Sequence, residues 1–175
     1  MGFKYILYAF LIFTFHIRFN GFYILPDFVG FIIMYKGFKE LSLYSNRFVK
    51  ASKVTCCLVI VTLPSLMYPN YEFLGTSSVL FYALTLTKIA MKLYVYHHLC
   101  LGIRELLEQK NDYKKANVAE TFSRINILYG ISTLIAVVAV DGFIAYYIAA
   151  LAMILFRFGM IFFIHKCYKE YDCAV

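Results

Sequence analysis

The feature that most constrains this chain is a series of six apolar runs, separated by short polar segments. A helix needs about 20 apolar residues to cross a bilayer core of about 30 Å, with some latitude for tilt. The runs lie at residues 3–17, 26–43, 49–68, 76–100, 120–140 and 143–165. Hydrophobic residues make up 62% of the 175 residues and charged residues 15%, against about 25% charged in soluble domains. The sequence therefore predicts an all-α integral membrane bundle of about six transmembrane helices, forming a single domain over residues 1–175.

The positions of the cations predict how these helices are oriented. Of the 17 lysines and arginines, all but four fall on one side of the six-span arrangement, and Arg18 is alone on the other. The first side holds Lys4, Lys36, Lys39, Arg47, Lys50, Lys53, Arg104, Lys110, Lys114, Lys115, Arg124, Lys166 and Lys169. Cytoplasmic segments are enriched in cations, so both termini are expected in the cytoplasm of a multi-pass cell-membrane protein. Four spans with a re-entrant or interfacial N-terminal hairpin are the alternative.

The formal net charge of +7 does not indicate a nucleic-acid partner. The cations lie at the ends of apolar runs and form no compact basic arm with interleaved polar residues. That pattern is typical of membrane orientation, so the lipid bilayer is the expected surrounding.

Three cations remain within the predicted spans: Lys88, Lys92 and Arg157. Lys88 lies about 18 Å along the fourth run and Arg157 at a similar depth in the sixth, near the centre of a bilayer. A charge at that depth costs several kcal/mol unless it faces a partner or a water-filled cavity. The predicted binding residues are these three cations with Asp27, Tyr82, Thr85 and Asp141.

Helical spacing supports an inward-facing polar stripe on the fourth helix. Tyr82, Thr85 and the two lysines recur at intervals of three and four residues, which places them on one helix face. A cavity with this lining would favour an anionic or zwitterionic small molecule. Two alternatives stay open: the cations neutralise Asp27 and Asp141 in a filled core, or they snorkel to the membrane surface.

The sequence offers little for catalysis or for metal binding. No H-E-x-x-H, G-x-S-x-G or P-loop motif is present, so we name no catalytic residue and expect no cofactor. His97 and His98 are adjacent and point to different faces of a helix. The five cysteines form no C-x-x-C pair, so no zinc site or disulfide framework is indicated. A non-catalytic protein is favoured over an enzyme.

Two helix starts can be read from local signals. Pro26-Asp27 combines a proline suited to the first helical position with a carboxylate at the positive end of the helix dipole. This predicts that the second helix begins there. The segment from Asn117 to Glu120 has the form of a capping box and predicts the start of the fifth helix.

Two resemblances extend this interpretation. Residues 20–31, Asn-Gly-Phe-Tyr-Ile-Leu-Pro-Asp-Phe-Val-Gly-Phe, and 35–41, Tyr-Lys-Gly-Phe-Lys-Glu-Leu, resemble the N-terminal region of small uncharacterised multi-spanning membrane proteins of low-GC Gram-positive bacteria. The predicted architecture is similar to the substrate-binding subunits of energy-coupling-factor transporters. The small-residue docking motif of that family is absent from the first helix here, so the resemblance implies solute binding without a docked energising module.

The best hypothesis from the sequence is a solute-binding or transport-related membrane protein with a cationic polar cavity. The alternative is a non-catalytic accessory, immunity or regulatory membrane protein that acts through contacts with a protein partner or with lipid. The surroundings of Lys88 and Arg157 discriminate between these two hypotheses. An open cavity beside them favours the first, and tight partners in a filled core favour the second.

Overall fold

The fold is all-α. The computed structural model describes residues 2–15, 18–19, 22–23, 27–63, 79–138 and 143–171. In these ranges the chain forms six helices: α1 Gly2–Thr14, α2 Asp27–Leu41, α3 Asn46–Thr62, α4 Val79–Gln109, α5 Tyr113–Val138 and α6 Phe143–Tyr171. The prediction of an all-α fold with six helices is confirmed for the described part of the chain.

The helices form a closed antiparallel ring. Each helix packs on its neighbours in sequence, and α6 returns to pack on α1. Helices α1, α3 and α5 begin at one end of the bundle, where α2, α4 and α6 end. We call this the cationic end, because it carries the ion pairs described below, and the opposite end the Asp27 end.

Two short strands follow α1. Strand β1, Arg18–Phe19, pairs antiparallel with β2, Phe22–Tyr23, so that Phe19 faces Phe22 across the ladder. The sequence analysis predicted no strand here. The signal it overlooked is the dipeptide Asn20-Gly21 between the strands, which is typical of two-residue hairpin loops.

The ends of several helices differ from the predicted runs. Helix α1 ends at Thr14 rather than at residue 17, and α3 begins at Asn46 because Ser45 caps it. Helix α4 continues beyond residue 100, where the predicted run ended, to Gln109. Residues 64–68, which were assigned to the third run, lie outside the described part, as does Pro26.

The predicted start of α5 is wrong. The helix begins at Tyr113 and contains Asn117 in its second turn. The actual cap is Asp112, whose Oδ1 accepts a hydrogen bond from the backbone N–H of Lys115 at 3.3 Å. Because Asp112 already satisfies this first turn, the pattern from Asn117 to Glu120 falls inside a helix rather than at its start.

The turn between α4 and α5 explains why α5 is capped by Asp112 rather than by Asn117. Asn111 adopts φ 61°, the left-handed conformation that ends a helix. The N–H of Asp112 donates to the carbonyl of Leu107 at 3.0 Å, and the N–H of Asn111 donates to Glu108 at 3.0 Å. These two bonds form a Schellman motif. The backbone N–H of Asp112 therefore bonds to the last turn of α4, and the side chain of Asp112 caps the first turn of α5.

Glycines bring α1 and α2 into close contact. A Cβ on Gly37 would lie 2.8 Å from the backbone oxygen of Gly2 and 2.8 Å from a side-chain carbon of Ile6. A Cβ on Gly30 would collide with the ring of Phe13. The two helices therefore pack backbone to backbone at one end and ring to glycine at the other, as small residues allow in membrane helix pairs.

No helix in the described part of the chain is both long enough and apolar enough to count as a candidate membrane span.

Candidate functional site

Asp27 pairs with a cation of this same chain. It is the first residue of α2, and its Oδ2 lies 3.1 Å from Nζ of Lys92 on α4. The two side chains keep 25% and 29% of their exposed area, and the Lys92 ammonium also lies 5.5 Å from the ring centre of Phe31. This contact ties α2 to α4 across the bundle and places a cation beside the Asp27 carboxylate.

The other predicted binding residues are only partly assembled around this pair. Lys88 lies one turn from Lys92, is partly buried, and interacts electrostatically with both Asp27 and Lys92. Thr85 is partly buried on the same helix. The side chain of Tyr82 and the whole of Asp141 lie outside the described part of the structure. The structure therefore brings together Asp27, Lys88 and Lys92.

Arg157 has a different partner from the carboxylates that the sequence suggested. Its Nη1 donates a hydrogen bond to the backbone oxygen of Phe13, in the last turn of α1. The carbonyls of a last helical turn lack intrahelical partners and carry partial negative charge. Arg157 thus caps α1 from α6 and helps to close the ring.

Aromatic rings fill the space between α1, α4 and α6. Tyr96 of α4 lies 5.2 Å from Phe10 of α1 and 6.4 Å from Phe156 of α6, measured between ring centres. Phe122 of α5 continues the group, at 6.4 Å from Phe156 and 5.3 Å from Phe163. These contacts lie inside the ring of helices, where a solute cavity was expected.

Polar side chains between α4 and α5 bind one another or the backbone. Asn126, which is fully buried, donates through Nδ2 to the carbonyl of Leu93 at 3.1 Å. Oγ of Ser123 lies 2.7 Å from Nδ1 of His97. Two buried atoms, Oδ1 of Asn126 and Nδ1 of His98, have no hydrogen-bond partner among the described residues. Asn126 was recognised in the sequence as part of a thin polar stripe, but its partner on α4 was not predictable.

The cationic end carries a network of ion pairs. Those joining different helices are Arg47–Glu105 at 2.9 Å, Arg104–Glu120 at 2.8 Å and Lys115–Glu170 at 2.8 Å. They connect α3 to α4, α4 to α5, and α5 to α6. Lys115 also pairs locally with Asp112, the cap of α5, at 2.7 Å. Such partly exposed pairs contribute little singly, but a network fixes the register of the helix ends.

Two carboxylates of this network, Glu105 and Asp112, have lowered pKa values. Burial raises the pKa of Glu105, but hydrogen bonds from Ser45 and Arg47 outweigh burial and lower the pKa below the ordinary value. The side-chain and backbone hydrogen bonds from Lys115 lower the pKa of Asp112. Hydrogen bonds with Asp112 and Glu170 raise the pKa of Lys115.

An open cleft of about 580 Å³ lies between α5 and α6 at the cationic end. Its apolar walls are Val118, Phe122, Gly159, Phe162 and Phe163, and its cationic rim is Lys166 and Lys169, with His165 beside them. We call this the α5/α6 cleft. None of its residues was a candidate in the sequence analysis. Their spacing along α6 at intervals of three and four was visible in the sequence, but such a stripe is more often ordinary core.

Metal binding has no support in the described part of the chain, where no group of three or more His, Cys, Asp or Glu residues is arranged to hold an ion. The cysteines at 56, 57, 100 and 167 are free thiols. Comparisons of the chain with protein-family models, with curated proteins and with solved structures found no match.

Proposed function

We propose that this chain is a multi-pass protein of the cell membrane with a non-catalytic role, exerted through contacts of its surface with lipid or with a partner membrane protein. The observation that carries the proposal is that polar groups at the centre of the bundle bind other groups of the same chain. Lys92 binds Asp27 and Arg157 binds the carbonyl of Phe13. Groups engaged in this way hold helices together rather than await a solute.

The membrane setting is supported by composition and by the outward faces of the helices. Residues 143–164 contain a single charge, Arg157, and as a helix they would extend about 33 Å. Large apolar side chains point outward from several helices, among them Ile60, Leu128, Leu151, Leu155 and Phe162. A run of such exposed side chains would be an aggregation liability in water. In a bilayer the same side chains are solvated by lipid.

The aromatic contacts between α1, α4 and α6 support the choice of an accessory role over solute transport. Phe10, Tyr96 and Phe156 occupy the space where α1, α4 and α6 meet. A solute pathway would have to displace these rings. Contacts at the surface require no such rearrangement.

The membrane part of the proposal is tested by alkaline carbonate extraction of membranes from cells that express the full chain. We expect the chain to stay with the membrane pellet and to enter solution only with detergent. Release by carbonate alone would overturn the proposal.

The role of the central charges is tested by a double-mutant cycle of Asp27→Asn and Lys92→Met, with thermal unfolding measured in detergent. Each single variant should lose about 1–3 kcal/mol, because it removes one hydrogen-bonded partner of a sheltered charge. The double variant should lose less than the sum of the two. Lys53→Met, at an exposed lysine of α3, is the control and should not change stability.

The alternative, solute binding, predicts a different pattern in the same cycle. Both single variants would unfold as the wild type does, and Lys92→Met would abolish the uptake of an anionic solute into vesicles. That result would reject the non-catalytic accessory role.

A further inference from the structure

The α5/α6 cleft changes character along the axis of α6. Gly159, Phe162 and Phe163 form its apolar part, and His165, Lys166 and Lys169 follow toward the end of the helix. Lys166 lies about 10 Å beyond Gly159 along the axis and Lys169 about 15 Å beyond it. A molecule in this cleft would meet apolar walls first and cationic groups at one end.

Gly159 lets the ring of Phe122 pack closely on α6 at the wall of the cleft. A Cβ on Gly159 would lie 3.0 Å from Cε1 of Phe122, which is closer than an ordinary van der Waals contact. Phe162 is 75% exposed at the outer edge of the cleft. The volume of about 580 Å³ falls within the range of about 300–1,000 Å³ typical of sites for small molecules.

The rim carries two exposed lysines, Lys166 and Lys169, and neither makes an ion pair with another residue in the described part of the chain. Lys166 interacts electrostatically with Asp112, and the carboxylates of Asp112 and Glu170 bind Lys115 on the α5 side. The ammonium groups of the two rim lysines are exposed to an anion that approaches from outside the chain.

We propose that the α5/α6 cleft binds an anionic phospholipid, with an acyl chain against Phe122, Phe162 and Phe163 and the phosphate at Lys166 and Lys169. The order of apolar wall and cationic rim matches the order of acyl chain and headgroup. Basic pockets between helices at the cytoplasmic face of a membrane bind lipid headgroups in the same way. This inference rests on the proposed membrane location and names the lipid class that the surface contacts.

The test uses the full chain in neutral detergent and native mass spectrometry. The probes are dioleoylphosphatidylglycerol, dioleoylphosphatidylcholine and inorganic phosphate. We expect the anionic lipid to bind more tightly than the zwitterionic one, and phosphate to bind undetectably because it lacks an acyl chain. Equal binding of the two lipids, or tight binding of phosphate alone, would overturn the lipid site.

The decisive variant is Lys166→Gln with Lys169→Gln. Each lysine beside an anionic headgroup contributes roughly fivefold in affinity, so the double variant should lose about tenfold or more of its binding to phosphatidylglycerol. The matched control is Lys50→Gln with Lys53→Gln, which removes the same charge from exposed positions of α3 at the same end. An equal loss in the control would show a diffuse charge effect and reject the site.

A second variant tests the apolar part. Gly159→Leu places a side chain in the cleft and should lower binding of phosphatidylglycerol by a similar factor, with thermal unfolding measured alongside to detect misfolding. If Gly159→Leu does not fold, the variant Lys166→Gln with Lys169→Gln still tests the lipid site. Failure of lipid selectivity in a chain that resists carbonate extraction rejects the lipid site alone, whereas release by carbonate rejects the proposed membrane role.

Discussion

The contact between α1 and α2 and the contact between α5 and α6 both contain glycine, but the two glycines admit different groups. Gly37 faces the backbone oxygen of Gly2, so its missing side chain lets two main chains touch. Gly159 faces the ring of Phe122 at the wall of the α5/α6 cleft, so its missing side chain lets a ring pack on the helix. The same residue type brings two backbones together in one helix pair and seats an aromatic side chain in the other.

This difference indicates that the α1/α2 pair and the α5/α6 pair are suited to different roles. The α1/α2 pair is surrounded by fully buried rings and aliphatic side chains, including Ile6, Phe10 and Phe38. The α5/α6 pair presents Phe162 outward and is fastened at its end by Lys115, between Asp112 and Glu170. We interpret the first pair as scaffold and the second as the surface that meets other molecules.

The largest difference in stability should appear when Gly37 and Gly159 are each replaced by alanine. Gly37→Ala should destabilise the protein by about 3 kcal/mol, because the new Cβ meets a backbone atom that cannot rotate away. Gly159→Ala should change stability by less than about 0.5 kcal/mol, because the higher helix propensity of alanine offsets its contact with Phe122. Thermal unfolding in detergent measures both. Equal losses would mean that the two glycines have the same packing role and would remove the contrast.

A smaller effect should follow from opening the junction between the two pairs. Arg157→Met removes the hydrogen bond from α6 to the carbonyl of Phe13 and should cost about 2 kcal/mol. Arg157→Lys keeps a charge but not the planar guanidinium, so it should recover only part of the loss. Denaturation in detergent compares the two variants with wild type. A stable Arg157→Met would show that the ring closes without this cap.

The smallest effect should be a change in local stability at the end of α6 that depends on pH. The pKa of Asp112 lies below its ordinary value of 3.8, so its contribution is present above that value and is lost as pH falls through the folded-state pKa. Protection factors from hydrogen exchange in the last turns of α6 should therefore fall on acidification more than those of α1. The glycine contacts of α1 and α2 contain no titrating group.

Asp112→Asn provides the control for this pH effect. Asparagine caps helices as well as aspartate does, but it cannot titrate. The variant should show a weaker acid dependence at the end of α6 without loss of α5. An unchanged acid dependence would show that the effect does not come from Asp112.

Much of the fold could be predicted because apolar runs and caps are local signals. The six helices followed from the six apolar runs, although α4 extends past the end of its run to Gln109. The start of α5 was missed because two capping patterns compete within six residues. Asp112 prevails because the turn at Asn111 fixes where the preceding helix ends. That turn was not recognised, since asparagine in the left-handed conformation is less conspicuous than glycine.

The candidate site was less predictable, because it depends on partners far apart in sequence. The start of α2 at Asp27 was predicted from the proline and carboxylate found there. The pairing of Asp27 with Lys92, 65 residues away, required knowing how α2 and α4 meet. Arg157 was a candidate for the lining of a cavity, with neutralisation of a carboxylate as an open alternative. It donates a hydrogen bond to a main-chain oxygen, which no side-chain pattern can indicate.

The sequence by itself determined the all-α class, the number of helices and the segregation of cations, because these depend on local hydrophobicity and chain length. Only the tertiary structure decided which polar groups bind each other and where a gap remains. The contrast between Gly37 and Gly159 shows why. In the sequence, every glycine within a helix looks alike. The packing of a distant helix decides whether a main-chain oxygen or the edge of a ring lies opposite it.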